Sequence, residues 1–270
     1  MIPRDYVTEW RAHAPWVADS QVEQDLVICR ALVDIFTHPA LSKALAFRGG
    51  TALYKLYLKP AARYSEDIDL VQVTAEPAGA TMDALRDVLD PWLGRAQWKQ
   101  TEGRVTFNYR FASEGPTPIP LRLKVEVNTR EHFTEHGFKR VPFSVSSRWF
   151  EGACDITTYD LDELLGTKLR ALYQRRKGRD LFDMAMALSQ GDADPSRIVS
   201  AFTRYMQEGG HHVTRAVFEE NLAAKLEDKR FVSDIPPLLT AGQDWDVTKA
   251  AALVMDILCP LLSGDPWKHE

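Results

Sequence analysis

A chain of 270 residues, 45% hydrophobic and 26% charged, has the balance of an ordinary folded protein, which excludes a disordered chain, a collagen and a coiled coil. Its formal net charge of −5 excludes a general polyanion-coating surface, because non-specific nucleic-acid binding rests on Lys and Arg neutralising phosphates. The cysteines Cys29, Cys154 and Cys259 are odd in number, widely spaced and without a Cys-x-x-Cys pair. They exclude a disulfide framework or zinc ribbon and are expected to be buried thiols.

Met1-Ile2-Pro3-Arg4-Asp5 lacks the apolar core of a signal peptide, and the longest apolar stretch, residues 250–262, is too short to span a bilayer and carries Asp256. A cytoplasmic protein with no membrane segment is expected. Along the chain, Val22, Leu26, Cys29, Val33 and Phe36 follow the three-to-four spacing of an amphipathic helix over residues 19–36. Residues 44–47 form an apolar run into Arg48-Gly49-Gly50, and residues 51–57 suit a helix, giving strand, glycine turn, helix. Strands are expected over 67–73, 105–111 and 119–127, with a helix over 84–93 and a hairpin loop over 113–118. From about Asp155 the pattern turns helical: 161–176, with acids early and bases late as the helix dipole prefers, then 179–188, 198–206, 213–226 and 247–262. The fold class expected is therefore α/β (α+β), with a mixed-sheet domain over 1–155 carrying an N-terminal covering helix and a helical domain over 156–270.

Two features carry chemistry. Asp67 and Asp69 lie two apart on an expected strand, so both carboxylates face one way while Ile68 and Leu70 pack behind them. Phosphoryl and nucleotidyl transfer use divalent metals such as Mg²⁺ or Mn²⁺ held by carboxylates and substrate oxygens, and Glu126, between Val125 and Val127, is the candidate third metal ligand. Gly49-Gly50 ahead of a helix lets backbone N–H groups approach a triphosphate, with Thr51 adding a hydroxyl. Taken singly, Gly-Gly is an ordinary turn and Asp-x-Asp a solvated face or calcium loop. Together, in this order, they point to nucleotide chemistry.

The segments Arg48-Gly49-Gly50-Thr51-Ala52-Leu53 and Arg63-Tyr64-Ser65-Glu66-Asp67-Ile68-Asp69-Leu70 resemble the AbiEii/AbiGii nucleotidyltransferases, a branch of the polymerase-beta-like superfamily that includes MenT-like toxins. The sixteen residues between Gly50 and Asp67 are long for the wider superfamily but suit this branch, which carries an Arg-x-Ser-x-Asp-x-Asp turn. The resemblance continues through Lys124-Val125-Glu126-Val127-Asn128, Leu164-Leu165-Gly166-Thr167-Lys168 and Arg176-Lys177-Gly178-Arg179-Asp180-Leu181-Phe182-Asp183, covering residues 40–190.

That resemblance implies a polymerase-beta-like nucleotidyltransferase domain, with Lys168 and Asp183 from the helical part acting in catalysis beside the acid pair. Lys168 could hold the triphosphate, or be a surface lysine in an i,i+4 pair. Asp183 could orient Lys168 or Arg179 or act as a base, and Asp180 could cap its helix. Arg63 could grip a phosphate bidentately and Ser65 hydrogen-bond one, or both could serve the turn; a phosphate on Ser65 would repel NTP from Asp67. The cations Arg170, Arg175, Arg176, Lys177 and Arg179, five within ten residues, could meet an RNA backbone or the triphosphate.

The function implied is a metal-dependent toxin transferring NMP from NTP to the 3′ end of tRNA and blocking translation, neutralised by an antitoxin. The alternative is transfer to a protein or an antibiotic-like small molecule. A catalytically silent binding protein ranks below both, because every acid and the lysine are retained.

Overall fold

The computed structural model describes residues 2–114 and 117–268. Gly115 and Pro116, inside the expected hairpin loop, lie outside the described residues. The chain divides into two units: Met1–Phe133 with Phe138–Tyr159, and Thr134–Gly137 with Asp160–Glu270.

The first unit is built on a seven-stranded mixed sheet of order β3-β4-β5-β2-β1-β7-β6. Its strands are β1 (Leu45–Arg48), β2 (Asp67–Gln72), β3 (Gln97–Thr101), β4 (Arg104–Ala112), β5 (Pro120–Asn128), β6 (Phe138–Ser146) and β7 (Glu151–Tyr159). In β4 and β5, buried Val105, Phe107, Tyr109, Leu123, Val125 and Val127 alternate with more exposed polar positions, the period-two signature of a sheet with one face in the core. The β2–β5 and β1–β7 pairs are parallel; β1–β2, β3–β4, β4–β5 and β6–β7 are antiparallel.

The Asp19–Thr37 helix buries polar Glu23, Gln24 and Asp25 besides its apolar residues. Hydrogen bonds offset part of that burial: Glu23 accepts from the Glu114 N–H at 2.8 Å, and the Gln24 amide nitrogen donates to the Arg122 carbonyl at 3.1 Å. The Gly49–Ala52 helix runs on into a π-helical turn, Leu53–Tyr57. The Gly79–Leu93 helix buries Met82, Leu85, Leu89 and Leu93 at helical spacing and stops at Gly94, whose φ of 80° is the left-handed value a glycine adopts freely.

Strands β3, β6 and β7 are additions to the sequence reading, and β7 runs through the expected boundary at 155. All five residues of β3 are exposed, so it shows no hydrophobic stripe; β6, on the sheet edge, alternates Val141, Phe143 and Val145 with exposed positions, one of which is Pro142. Of the cysteines, Cys29 and Cys259 are buried, whereas Cys154 on β7 is half-exposed and departs from the expectation of a buried thiol.

The second unit is helical: Leu161–Gln174, Gly178–Gln190, Pro195–Glu208, Arg215–Leu226 and Val247–Leu258. Asp160, Asp194 and Asp246 cap three of these helices by accepting from first-turn N–H groups. Gly166 lets two helices touch, since a Cβ there would lie 2.5 Å from that of Ala201. Glu163, fully buried, accepts from the Thr134 hydroxyl at 2.6 Å, the Glu135 and His136 N–H groups at 2.8 Å and the Tyr205 hydroxyl at 2.8 Å. This carboxylate holds the Thr134–Gly137 segment in the unit. Glu163→Ala is expected to lower unfolding free energy in a urea titration by about 2–4 kcal/mol, because four buried donors lose their acceptor. Among the described residues no helix is long and apolar enough to cross a membrane.

Candidate active site

The site follows from the strand period and one parallel register. In β2, Ile68 and Leu70 are buried to 0% and 1% exposure, so Asp67 and Asp69 share the opposite face. In β5, Val125 and Val127 are buried, which turns Lys124 and Glu126 to that same face. The β2–β5 register sets Asp67 beside Lys124 and Asp69 beside Glu126, and on the other flank β1 sets Arg48 beside Asp69. Three acids and two bases therefore gather on adjacent strands.

Their contacts are specific. Lys124 Nζ lies 3.2 Å from Asp67 Oδ2 and 3.5 Å from Glu126 Oε2, and Arg104 reaches Glu126 at 3.4 Å. Arg48 is paired with Glu131 at 2.5 Å, and Asn128 donates to the same carboxylate oxygen at 3.3 Å. Burial pushes the Asp69 carboxyl above its usual range and neighbouring Asp67 pushes it the same way, against the pull of Lys124 and Arg48. Burial opposes the charge on Lys124 too, but Asp67, Glu126 and Asp69 outweigh it and hold the ammonium above its ordinary value. The face is short of positive charge.

The glycines are required by close approach. Gly49 has φ 83°, and a Cβ there would lie 2.4 Å from Asp69 Oδ2; a Cβ on Gly50 would lie 2.5 Å from Arg63 Nη2. The glycine turn is pressed against the acid pair on one residue and the Arg63 loop on the next. Gly49→Ala is expected to strain the backbone by about 1–2 kcal/mol and push the Asp69 carboxylate aside. Transfer activity should fall about a hundredfold while the melting temperature drops only a few degrees.

Thr51 and Arg63 are occupied within the unit. The buried Thr51 hydroxyl bonds Ser65 Oγ at 2.8 Å and the Asp67 carbonyl at 2.5 Å, so it ties the glycine helix to the acid strand. Arg63 is 2% exposed, donates to the Tyr64 carbonyl at 2.9 Å and lies 5.1 Å from the Tyr54 ring. Thr51, Arg63 and Ser65 line a cavity of about 380 Å³ with Trp10, Trp16 and Tyr54. Its wall holds a network absent from the sequence reading: Asp25 accepts from both Trp10 and Trp16 indoles at 3.0 and 3.2 Å and from Lys55 at 2.7 Å.

Among the described residues no three or more His, Cys, Asp or Glu side chains are grouped to hold a metal ion. The expected trio Asp67, Asp69 and Glu126 thus shares a face without forming a three-ligand cluster, because Glu126 is drawn to Lys124 and Arg104. The pair Asp67 and Asp69 still fits a hard divalent cation: both are oxygen donors, and the like-charge crowding around Asp69 is what a dication relieves.

In the helical unit, Lys168 is 6% exposed and pairs with Asp180 at 3.1 Å and Asp183 at 3.0 Å, both fully buried. This excludes the surface-lysine alternative. Arg175 binds Asp180 through two contacts of 2.6 and 2.8 Å. Burial works against the charge on Asp180, but Lys168 and Arg175 overcome it and hold the carboxyl below its usual range. The remaining cations of the run are also engaged: Arg176 with Asp228 at 3.1 Å, Lys177 and Arg179 with Asp234 at 3.5 and 3.0 Å, and Arg170 over the Tyr205 ring at 4.9 Å. A patch that looks basic in sequence is thereby matched by acids from distant turns. Arg48 and Lys124 are the site residues the sequence reading did not single out; the period that marks Asp67 and Asp69 also marks Lys124 with Glu126.

The mixed sheet thus sets an Asp-x-Asp strand against a glycine turn. Two solved structures share the fold: a candidate nucleotidyltransferase from H. pylori (18% identity, TM-score 0.57, covering 91% of this chain and 96% of that one) and MenT4, a nucleotidyltransferase toxin from Mycobacterium tuberculosis (16% identity, TM-score 0.56, covering 97% and 100%). The sequence matches, over residues 30–253, the family described as "Nucleotidyl transferase AbiEii toxin, Type IV TA system", and the chain belongs to that family. It is a nucleotidyltransferase toxin of the AbiEii type, with the NTP substrate and antitoxin partner that membership carries. No curated protein matches the chain.

Proposed function

We propose that this toxin transfers an NMP from an NTP to the 3′ end of tRNA, dependent on a divalent metal, and so blocks translation in the cytoplasm. The observation that carries the reading is the placement of Asp67 and Asp69 on one face of β2, against a glycine turn too close to Asp69 to admit a side chain. Asp67 and Asp69 would hold Mg²⁺ or Mn²⁺, which when bound supplies charge for the triphosphate and activates the acceptor hydroxyl. The acceptor oxygen forms a bond to the α-phosphorus, the α–β bridging bond breaks, pyrophosphate leaves and the hydroxyl proton passes to a base.

Within the chain, backbone N–H groups of the Gly49–Gly50 turn, which is pressed against Asp69 and Arg63, would meet phosphate oxygens beside the acid pair, and Thr51 keeps the glycine helix registered to Asp67. Arg63 and Ser65 are nucleotide contacts in this reading, with Arg63 also bracing the turn beneath Gly50. Lys168 and Asp183 belong to the catalytic set by the family resemblance, and Asp183 positions the Lys168 ammonium. The run from Arg170 to Arg179 is an RNA or phosphate contact only to the extent that its charge exceeds that of Asp180, Asp228 and Asp234.

Incubation of purified protein with α-labelled NTPs, magnesium and total tRNA tests the acceptor. Label on RNA is expected. Label confined to protein or to an added aminoglycoside would replace tRNA as the acceptor, and no label on RNA with any NTP would sink the tRNA assignment.

A further inference from the structure

The acid face carries its own cation. Lys124 Nζ spans Asp67 Oδ2 at 3.2 Å and Glu126 Oε2 at 3.5 Å, and it is placed there by the parallel register of β2 and β5. Both contacts are half-buried, with side-chain exposures of 25% for the lysine against 34% and 23% for its partners, so solvent screens them less than a surface pair. Of the other bases nearby, Arg48 is paired with Glu131, and the exposed Arg104 reaches Glu126.

The charge balance is informative. Asp67, Asp69 and Glu126 set against Lys124 and the exposed Arg104 leave the face one positive charge short, a deficit that a divalent ion would more than fill. An ammonium and a dication on the same Asp67 carboxylate repel each other at contact distance. Occupation of Asp67 by one therefore weakens the hold of the other.

We propose that Lys124 is a resident cation that competes with the divalent metal for Asp67: its ammonium closes Asp67 onto Glu126 in the metal-free chain and gives way when a dication binds the acid pair. This rests on the reading of Asp67 and Asp69 as metal ligands. The competition keeps bare metal weakly held, so that the ion is retained chiefly with the triphosphate, whose oxygens complete its coordination. The ammonium freed from Asp67 stays on the same strand face, where a phosphate oxygen is its natural next partner.

The test is a Mn²⁺ titration of the metal-stripped full chain, followed by the electron paramagnetic resonance of free Mn²⁺, with and without a non-transferable NTP analogue. Lys124→Met and Lys124→Gln, which keep the stem but lose the charge, are expected to bind Mn²⁺ about tenfold more tightly than the wild type without nucleotide. Lys124→Arg should stay within about twofold of the wild type, since it keeps the competing charge. Using two neutral variants and one charged variant guards against misfolding in any single protein. Unchanged or weaker Mn²⁺ binding in both neutral variants, with wild-type binding still abolished by Asp69→Asn, overturns the resident-cation role and leaves the metal reading standing. Wild-type Mn²⁺ binding that ignores Asp69→Asn even with nucleotide overturns both.

Discussion

Asp69→Asn is expected to abolish nucleotidyl transfer, by a factor of about a thousand or more, while making the metal-free protein more stable. Asn keeps the shape beside Gly49 but carries no charge, so the crowding of Asp69 against Asp67 and Glu126 is removed. Relief of that crowding should raise the melting temperature in chelator by a few degrees. The sign with pH follows from the direction of the shift. Because the folded-state carboxyl is raised above its ordinary value of 3.8, its charged form penalises the fold at neutral pH, and the penalty fades as pH falls through the raised value. The stability gap between variant and wild type should therefore be widest near neutrality and close in acid. Parallel melts at several pH values read this directly, and a less stable variant at pH 7 would refute the crowding argument.

Lys168→Met should carry the largest stability cost in the helical unit. The ammonium neutralises two fully buried carboxylates, Asp180 and Asp183. Removing one member of a buried ion network costs about 3–5 kcal/mol, because the remaining charges keep their desolvation penalty. Urea unfolding measures the loss. Lys168→Met combined with Asp183→Asn should regain part of it, since one of the stranded charges goes with its partner. Set beside Asp183→Asn alone, the double variant also separates two roles for the lysine. If Lys168 acts in transfer, the double variant is less active than Asp183→Asn even where their stabilities match; equal activity would assign the lysine a structural role alone. Acid should weaken the same network in the wild type. The Asp180 carboxyl is held below its ordinary 3.8, so its contribution is complete above that value and is lost as pH falls below it.

What could be read from sequence follows the physics of burial. Strands β2, β4 and β5 announce themselves because one face of each lies in the core, β1 because its apolar run is buried on both faces, and the helices show three-to-four spacing. The edge strand β3 is exposed throughout and carries no such stripe. The acid pair is legible for the same reason: Ile68 and Leu70 fix the direction of Asp67 and Asp69. The partnership of Asp67 with Lys124 is not, because strand period tells which way a side chain faces but not which strand runs alongside. The basic run misleads for a related reason. Asp228 and Asp234, fifty residues and more downstream of the arginines they bind, neutralise it by tertiary contact. Asp25 is also hidden, since a carboxylate within a buried helix has no sequence mark for the two indoles and the lysine that satisfy it.

The acid pair is the proposed seat of metal-dependent nucleotidyl transfer. The most direct measurement is release of pyrophosphate from an NTP by the metal-stripped protein, with total tRNA present, as magnesium is restored, for wild type and Asp69→Asn side by side. Pyrophosphate that appears with magnesium in the wild type alone is the predicted result. Equal release from both proteins, or release by the wild type that persists in chelator, would contradict it.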